Sequence, residues 1–294
     1  MKIILTGANG FLGSAISNYF SNRDLVKTGR SAGDVLVDLS TQVPVLPSHD
    51  LMIHAAGKAH LVPRTEEEKA DFFHVNVTGT ANLLAGLERS GLPKYFVFIS
   101  SVAVYGLDEG ELIEEDYPLN AQDPYGKSKA EAEAMITTWC KQHQVVCTIL
   151  RLPLLAGNNA PGNLGAMVKA IAKGYYFNIG KGEARRSMVM ADDVAAFIDD
   201  VFETGGIYNL TDGLHPSFKA LSLSVSKQLN KKSSLSLPFS AVKAIAVIGD
   251  VLGNSFPITS KKLQKMTQTL TFSDQKARSK IGWNPKSVVD NFSI

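Results

Sequence analysis

The stretch that decides the fold is Lys2-Ile3-Ile4-Leu5-Thr6-Gly7-Ala8-Asn9-Gly10-Phe11-Leu12-Gly13-Ser14-Ala15. An apolar, β-prone run ends at a glycine-rich turn, and apolar residues at helical spacing follow it. Three glycines spaced Gly-x-x-Gly-x-x-Gly are typical of a tight turn that lets the backbone approach a pyrophosphate and lets a helix pack close to a strand. The free N–H groups of the first helical turn favour phosphate. The stretch therefore predicts the strand, turn and helix of a dinucleotide-binding unit.

The rest of the chain extends this beginning into an α/β fold. Strand-like runs and helical patterns alternate up to about residue 150, which predicts a doubly wound parallel sheet. The apolar runs Tyr95–Ile99 and Val145–Leu150 are typical of strands that are buried on both faces. We predict a Rossmann-type domain over residues 1–155, with a returning segment at about 187–212, and a smaller α+β lid that binds substrate over residues 156–294.

Composition narrows the class of partner. The chain has 294 residues, and its 30 Lys and Arg are nearly balanced by 28 Asp and Glu, so no basic stripe indicates nucleic acid. Cys140 and Cys147 form no Cys-x-x-Cys pair, and no His neighbours them in a metal-ligand pattern, which predicts core thiols and no metal site. Few cysteines, and a core strand at the very start of the chain, favour the cytoplasm.

The longest apolar stretch, Ala241–Gly253, includes Lys243 and Asp250. It is too short and too charged to span a bilayer. It predicts a buried helix, with a membrane-surface helix as the weaker alternative, so we expect no membrane partner.

Two polar residues bear on cofactor choice. The second strand, Leu25–Thr28, ends at Gly29-Arg30-Ser31, where an acidic residue would favour NAD and a basic one the 2′-phosphate of NADP. Arg30 therefore favours NADP(H). The alternative is that Arg30 is a solvated surface residue and that the cofactor is NAD(H). Asn76 lies among apolar residues on a long helical pattern, Phe72–Leu87, and either bridges backbone groups or a cofactor or is a buried structural amide.

Three residues suggest redox chemistry. Ser101 follows a buried strand, and Tyr125 and Lys129 lie at i and i+4 on a helix that starts at Asp123-Pro124. Tyrosine has an ordinary pKa of about 10. We expect a nearby ammonium and an oxidised nicotinamide to lower the pKa of Tyr125, which suits proton transfer during hydride transfer. Taken alone, Tyr125 and Lys129 could instead be two residues on a solvent-exposed face of the helix.

Taken together, these motifs resemble an extended short-chain dehydrogenase/reductase of the NAD-dependent epimerase/dehydratase family, in its nucleotide-sugar 4-reductase and 4-epimerase branch. The residues that carry the resemblance are Thr6–Gly13, His54–Gly57, Asn76–Thr80, Ser100–Gly106, Tyr125–Lys129, Leu150–Pro153, Asn163-Leu164, Arg186-Ser187, Asp193-Val194 and Lys280–Pro285.

The resemblance implies a role for each matched position. The catalytic residues would be Ser101, Tyr125 and Lys129. The cofactor site would comprise Gly7, Asn9, Gly10, Phe11, Leu12, Gly13, Asp38, Leu39, Ala55, Ala56, Gly57, Asn76, Ser100, Tyr125, Lys129 and Pro153, with Arg30 beside it. The substrate would contact Ser101, Asn163, Leu164 and Arg186. It further implies a homodimer through helices near Phe72–Ser90 and Tyr125–Cys140.

Two departures from the family pattern reduce the number of reactions that the resemblance allows. Sugar 4,6-dehydratases carry Asp-Glu where this chain has Val102 and Ala103, and epimerase-reductases similar to fucose synthase carry Cys at the position of Val102. With dehydration and 3,5-epimerisation disfavoured, the remaining reaction is oxidation or reduction at C4 of the sugar. The segment Gly180–Asp193 resembles enzymes of UDP-N-acetylhexosamines for surface polysaccharides. We expect reduction of a UDP-4-keto-6-deoxy-N-acetylhexosamine; the alternatives are a UDP-sugar 4-epimerase and, more distantly, a non-catalytic NADP-sensing regulator.

Overall fold

A computed structural model describes residues 1–59, 61–252 and 258–294. The strands are β1 Lys2–Thr6, β2 Asp24–Gly29, β3 Val35–Leu36, β4 Leu51–His54, β5 Tyr95–Ser101, β6 Gly110–Ile113, β7 Val146–Leu152, β8 Leu154–Ala156, β9 Phe177–Ile179, β10 Met188–Met190, β11 Gly206–Asn209, β12 Leu235–Leu237 and β13 Leu270–Phe272. The α-helices are α1 Phe11–Tyr19, α2 Glu66–Phe73, α3 Gly79–Ser90, α4 Pro124–His143, α5 Gly162–Ala172, α6 Ala191–Val201, α7 Phe218–Gln228, α8 Phe239–Leu252, α9 Ser260–Thr267, α10 Gln275–Ile281 and α11 Val288–Asn291.

Seven strands form the central sheet, in the order β11-β7-β5-β4-β1-β2-β3, and every neighbouring pair is parallel. The chain runs outward from β1 in both directions, so β1 and β4 flank the point where the strand order reverses. Open sheets of this kind bind ligands at that point, beyond the carboxyl ends of the strands. The predicted doubly wound parallel sheet is confirmed.

Helices cover both faces of the sheet. On one face, α1 and α6 pack against each other and against β1, with Ile3, Ile16 and Phe197 almost fully buried among them. On the other face, α3 and α4 supply Leu83, Leu87, Ile136 and Trp139 to a second core. Two-sided burial explains why the sheet strands are nearly continuous apolar runs.

Two elements of the structure differ in detail from their sequence-based predictions. The helical pattern Phe72–Leu87 is a helix interrupted by a π-helical turn, His74–Thr78, between α2 and α3. The run Val35–Leu39 pairs with β2 only through Val35 and Leu36. Asp38 ends the strand because its carboxylate accepts hydrogen bonds from the N–H and hydroxyl of Ser40, a local turn that competes with the sheet.

Three smaller two-stranded sheets lie outside the central sheet and are formed mostly by the chain beyond residue 152. Strand pairs β8–β10, β9–β12 and β6–β13 are all parallel. Helices α5, α7 and α11 share a separate apolar cluster with Met188 and Met190 of β10. After β10 the chain returns through α6 to β11, which adds the edge strand beside β7.

The prediction of a buried helix over Ala241–Gly253 is wrong, apart from Gly253, which lies outside the described residues. Helix α8 buries only Val242, Ala246 and Gly249, against α9 and neighbouring residues, and exposes most of its other side chains. One neighbouring helix can cover only one stripe of an apolar helix. Within the described residues, no helix is long and apolar enough to cross a membrane.

Candidate active site

The glycine turn lies at the reversal point of the sheet. Gly7 follows β1 with φ of +72°, and a Cβ there would lie 2.6 Å from the backbone nitrogen of Ala56, just beyond β4. A Cβ at Gly13 would lie 2.0 Å from the carbonyl oxygen of Gly7. Glycine is therefore required at both positions, first for the positive φ and then for close packing of α1 on β1.

The start of α1 is arranged to receive an anion. Gly10 is its N-cap and supplies no side-chain hydrogen bond, and the first turn of the helix contains no acidic residue. The backbone N–H groups of this turn therefore have no capping side chain and carry the positive end of the helix dipole. A pyrophosphate fits this donor set, so the residues present fit a dinucleotide cofactor.

Neighbouring side chains shape this turn. Asn9 donates to the carbonyl oxygen of Ala32 at 2.8 Å and so ties the turn to the loop that carries Arg30. The ring of Phe11 lies against Gly157. Leu12 is buried in the core under α1. Its side chain does not face the crevice, and only its backbone N–H is available to a cofactor there.

The residues expected near the adenosine follow β2 and β3. Arg30 is exposed. Asp38 is half-buried, and its hydrogen bonds from Ser40 hold the pKa of the carboxyl below its usual range, against a smaller opposing effect of burial. Leu39 packs against Gly79, and its carbonyl oxygen accepts from Asn82 at 2.7 Å.

Asn76 uses its amide within the protein. Its Oδ1 accepts from the backbone N–H of Lys58 at 2.7 Å, and its Nδ2 donates to the carbonyl of Lys58 and to the hydroxyl of Ser128. Asn76 is therefore a buried amide that bridges backbone groups, here the N–H and the carbonyl of Lys58. Because Lys58 follows Gly57, Asn76 holds the segment beyond β4 against α4, and its expected part in cofactor binding is to position that segment.

Ser101 and Tyr125 lie together at the carboxyl edge of β5. Ser101 ends β5 and caps a 3₁₀ turn by accepting from the N–H of Ala103 at 3.2 Å. Tyr125 is the second residue of α4, whose N-cap is Asp123 as the sequence predicted. Burial raises the pKa of Tyr125, a hydrogen bond with Ser101 opposes this, and Asp123 adds to it. The expected fall of this pKa is wrong for the chain by itself, because desolvation exceeds the stabilisation of phenolate.

Lys129 lies one turn along the same face of α4. Its Nζ donates to the carbonyl of Ile99 at 2.5 Å and lies 4.0 Å from the centroid of the Phe98 ring. A Cβ on Gly57 would be 3.9 Å from this Nζ, so the lysine borders the segment expected to line the cofactor. Burial lowers the pKa of Lys129 to about 7, although Glu133 raises it. The Lys129 side chain is therefore able to exchange its proton near neutral pH.

A buried network beneath these residues was not predicted from the sequence. Glu133 accepts from Ser100 and forms a buried ion pair with Arg151, which also donates to the hydroxyl of Tyr105 at 3.0 Å. The hydroxyl of Ser100 thus points into the protein, towards Glu133. One signal was available: Tyr125, Lys129 and Glu133 follow each other at spacings of four on α4.

The residues expected to bind substrate lie in the smaller part of the chain. Arg186 is half-buried and donates to the carbonyls of Gln268 and Lys265 at the end of α9, with its guanidinium 5.6 Å from the Phe218 ring centroid. Asn163 is exposed at the start of α5, whereas Leu164 is buried in the cluster around that helix. Pro153 is half-buried between β7 and β8. Among the residues that the structure describes, no cluster of His, Cys, Asp and Glu is placed to hold a metal.

Residues 3–211 match the NAD dependent epimerase/dehydratase family. The chain belongs to this family. It is therefore an NAD(P)-dependent enzyme of the epimerase, reductase and dehydratase class, and the resemblance seen in the sequence is confirmed.

Individual members of the family align along most of the chain. An N-acetyl-alpha-D-glucosaminyl-diphospho-ditrans,octacis-undecaprenol 4-epimerase of Escherichia coli O157:H7 is 27% identical over 95% of this chain and 89% of its own length. The UDP-glucose 4-epimerase of Thermus thermophilus in complex with NAD has a TM-score of 0.74, with 22% identity over 99% of both chains. RMD from Pseudomonas aeruginosa, complexed with NADPH, has a TM-score of 0.71, with 19% identity over 98% and 95% of the two chains. Such neighbours bind either nucleotide, so the fold admits both.

Proposed function

We propose that the enzyme carries out redox chemistry at C4 of a diphosphate-activated sugar, with Ser101, Tyr125 and Lys129 as its catalytic residues. The observation that carries this proposal is that Ser101 at the carboxyl end of β5, Tyr125 in the first turn of α4 and Lys129 one turn later lie together, beside the segment after β4. That edge of the sheet adjoins the anion-binding start of α1, so a dinucleotide held there would extend towards these residues.

Each residue has a distinct part in the reaction. A nicotinamide dinucleotide, when bound, supplies or accepts the hydride at C4. Tyr125 gives a proton to the C4 oxygen during reduction and takes one during oxidation. Ser101 donates a hydrogen bond to the same oxygen and orients it. Lys129, held by the carbonyl of Ile99, places positive charge near the site and stabilises the phenolate that forms.

We assign the diphosphate of the substrate to Arg186, with Asn163 at the start of α5, and the lid to residues 156–294. A guanidinium suits phosphate because it donates two parallel hydrogen bonds. Burial lowers the pKa of Arg186, but an arginine in a protein keeps its charge. The sugar we propose is a UDP-linked N-acetylhexosamine derivative.

Two reactions fit this site. Reduction of a UDP-4-keto-6-deoxy-N-acetylhexosamine comes first, because Arg30 follows β2 and favours NADP(H), which exchanges at each turnover. The second is 4-epimerisation, which retains and recycles NAD(H). The whole-length alignment with a 4-epimerase named for an undecaprenol-linked sugar favours this second reaction.

The test combines cofactor release with two assays. Nucleotide released from freshly purified protein is identified, and NADPH oxidation is followed with the UDP-4-keto-sugar. UDP-N-acetylglucosamine and its undecaprenol-linked diphosphate are then incubated without added cofactor and examined for the C4 epimer. Oxidation of NADPH supports the reductase. Co-purified NAD(H) with C4 epimer supports the epimerase. Turnover of none of these sugars, with full NADPH binding, would contradict both and favour a sensor.

A further inference from the structure

Helix α8 presents a broad apolar face to solvent. Opposite its buried stripe, Val251 is 85% exposed and Ile248 58% exposed, and Ile245, Val247 and Leu252 are exposed beside them. At 3.6 residues per turn these five side chains span an arc of about 160°. Within α8, Ser240 is the one polar residue on that arc, whereas Lys243 and Asp250 lie at its border. Exposed apolar surfaces that are contiguous mark interaction sites.

The segment around α8 is also strongly basic. Residues 213–273 contain eight Lys and one Asp, with no Arg and no Glu, which is a net charge of +7. Since the whole chain carries +2, the remaining residues carry −5. The single acidic group, Asp250, accepts hydrogen bonds from the N–H and hydroxyl of Ser260. This contact ties α8 to the start of α9, where Lys261 is exposed.

We propose that α8 docks the enzyme on an anionic lipid bilayer. Its apolar face would enter the headgroup boundary while lysines of this basic segment, Lys243 at the border of the face among them, contact anionic lipids, which is how surface-lying amphipathic helices bind. The charge of the segment argues against a second copy of this chain as the occupant. A two-fold interface would bring the same +7 segment against itself, and like charges repel.

Helix α9 connects α8 to the surroundings of Arg186, the residue proposed above to bind the substrate diphosphate. Helix α9, which packs on α8, ends at the carbonyl groups that accept hydrogen bonds from Arg186. Lys265 of α9 is also ion-paired with Asp108 at 2.8 Å. The docking surface itself stands on α8 and its charges and is independent of which reaction the enzyme performs.

Vesicle co-sedimentation tests this surface with the whole protein. We expect it to sediment with phosphatidylcholine vesicles that contain phosphatidylglycerol and to be released by high salt, since screening weakens the lysine–lipid attraction. Val251→Glu should lower the partition coefficient by about tenfold, because it removes an apolar contact and adds a repelled charge. Val45→Glu is the matched control: Val45 is 86% exposed and lies outside α8, so this change should leave binding as in wild type.

A second measurement reports insertion directly. The native tryptophans, Trp139 and Trp283, are buried, so a tryptophan placed by Val251→Trp should add emission that shifts to the blue with anionic vesicles. The proposal is overturned if the protein does not sediment with these vesicles, if Val251→Glu binds as wild type does, or if the Val251→Trp emission does not shift. A dimer in analytical ultracentrifugation that Val251→Glu dissociates would instead assign the face to a second copy.

Discussion

Glu133 and Arg151 form a buried ion pair that joins helix α4 to the sheet. Their charged atoms approach to 2.8 Å, and both side chains are only 4% exposed. Arg151 also donates from Nε to both carboxylate oxygens, at 3.1 and 3.2 Å. Because Glu133 is one turn beyond Lys129, the pair fixes the depth and rotation of α4 against β7.

Removing one member of this pair should destabilise the fold. Glu133→Leu leaves the Arg151 guanidinium buried without its carboxylate and should lower the free energy of unfolding by about 3–5 kcal/mol. Urea unfolding measures the change. The exposed Glu66, paired with Lys69 on α2, gives the control Glu66→Gln, which should cost less than about 1 kcal/mol. The double variant Glu133→Leu/Arg151→Met should recover part of the loss; equal stability of the single and double variants would refute the uncompensated charge as the cause.

Tyr125 should be required for turnover and not for cofactor binding. Tyr125→Phe removes the phenolic proton and should reduce kcat by about 10²–10⁴-fold, with little change in the dissociation constant for NADPH. Steady-state kinetics and a fluorescence titration measure the two quantities. Tyr19→Phe, at a partly exposed tyrosine near the end of α1, is the control and should behave as wild type. Full turnover by Tyr125→Phe would rule out the proposed proton transfer.

His54 should make the fold sensitive to acid. It lies fully buried, with Nδ1 2.7 Å from the Thr6 hydroxyl and Nε2 3.1 Å from the Thr80 hydroxyl. Burial, and to a smaller extent Lys129, lowers the pKa of His54 to about 3. Between this value and the ordinary pKa of 6.5, the unfolded chain binds the extra proton. The free energy of unfolding therefore falls as pH decreases through this window, by up to about 1.4 kcal/mol per pH unit.

Denaturant unfolding between about pH 4.5 and about pH 6, a range that lies between the two pKa values, measures this slope. His54→Gln, which keeps hydrogen-bonding groups and removes the titration, should show a shallower slope than wild type. His74→Gln, at an exposed position, should leave the slope as it is. An unchanged slope in His54→Gln would mean that other groups cause the acid sensitivity.

Arg30 should determine the choice between the two nucleotides. Arg30→Ser removes the guanidinium proposed for the 2′-phosphate and should weaken NADPH binding by about tenfold, since a hydrogen bond to a charged group contributes roughly 1.5–3 kcal/mol. NADH binding should change little. Isothermal titration of both nucleotides measures this, and Arg23→Ser, at an arginine that pairs with Asp199, is the control. Equal losses for NADPH and NADH would show that Arg30 does not read the phosphate.

Features that depend on neighbours in the chain were predictable. The glycine turn follows from Gly7, Gly10 and Gly13 because its tight geometry is local. The start of α4 follows from Asp123 and Pro124, whose cap and fixed φ act within one turn. The strands of the sheet follow from their apolar runs, and the order of the family's motifs identified the enzyme class.

Contacts between distant segments were decided only by the tertiary structure. Glu133 meets Arg151, and Asn76 meets Lys58 and Ser128, because the fold brings separate elements together. Burial then set the pKa of Tyr125 in the direction opposite to the one expected from charges alone. Helix α8 is the clearest case. Its sequence specifies an apolar helix, but whether such a helix is covered depends on what packs around it, and here a single stripe along Val242 and Ala246 is covered while Val251 faces solvent.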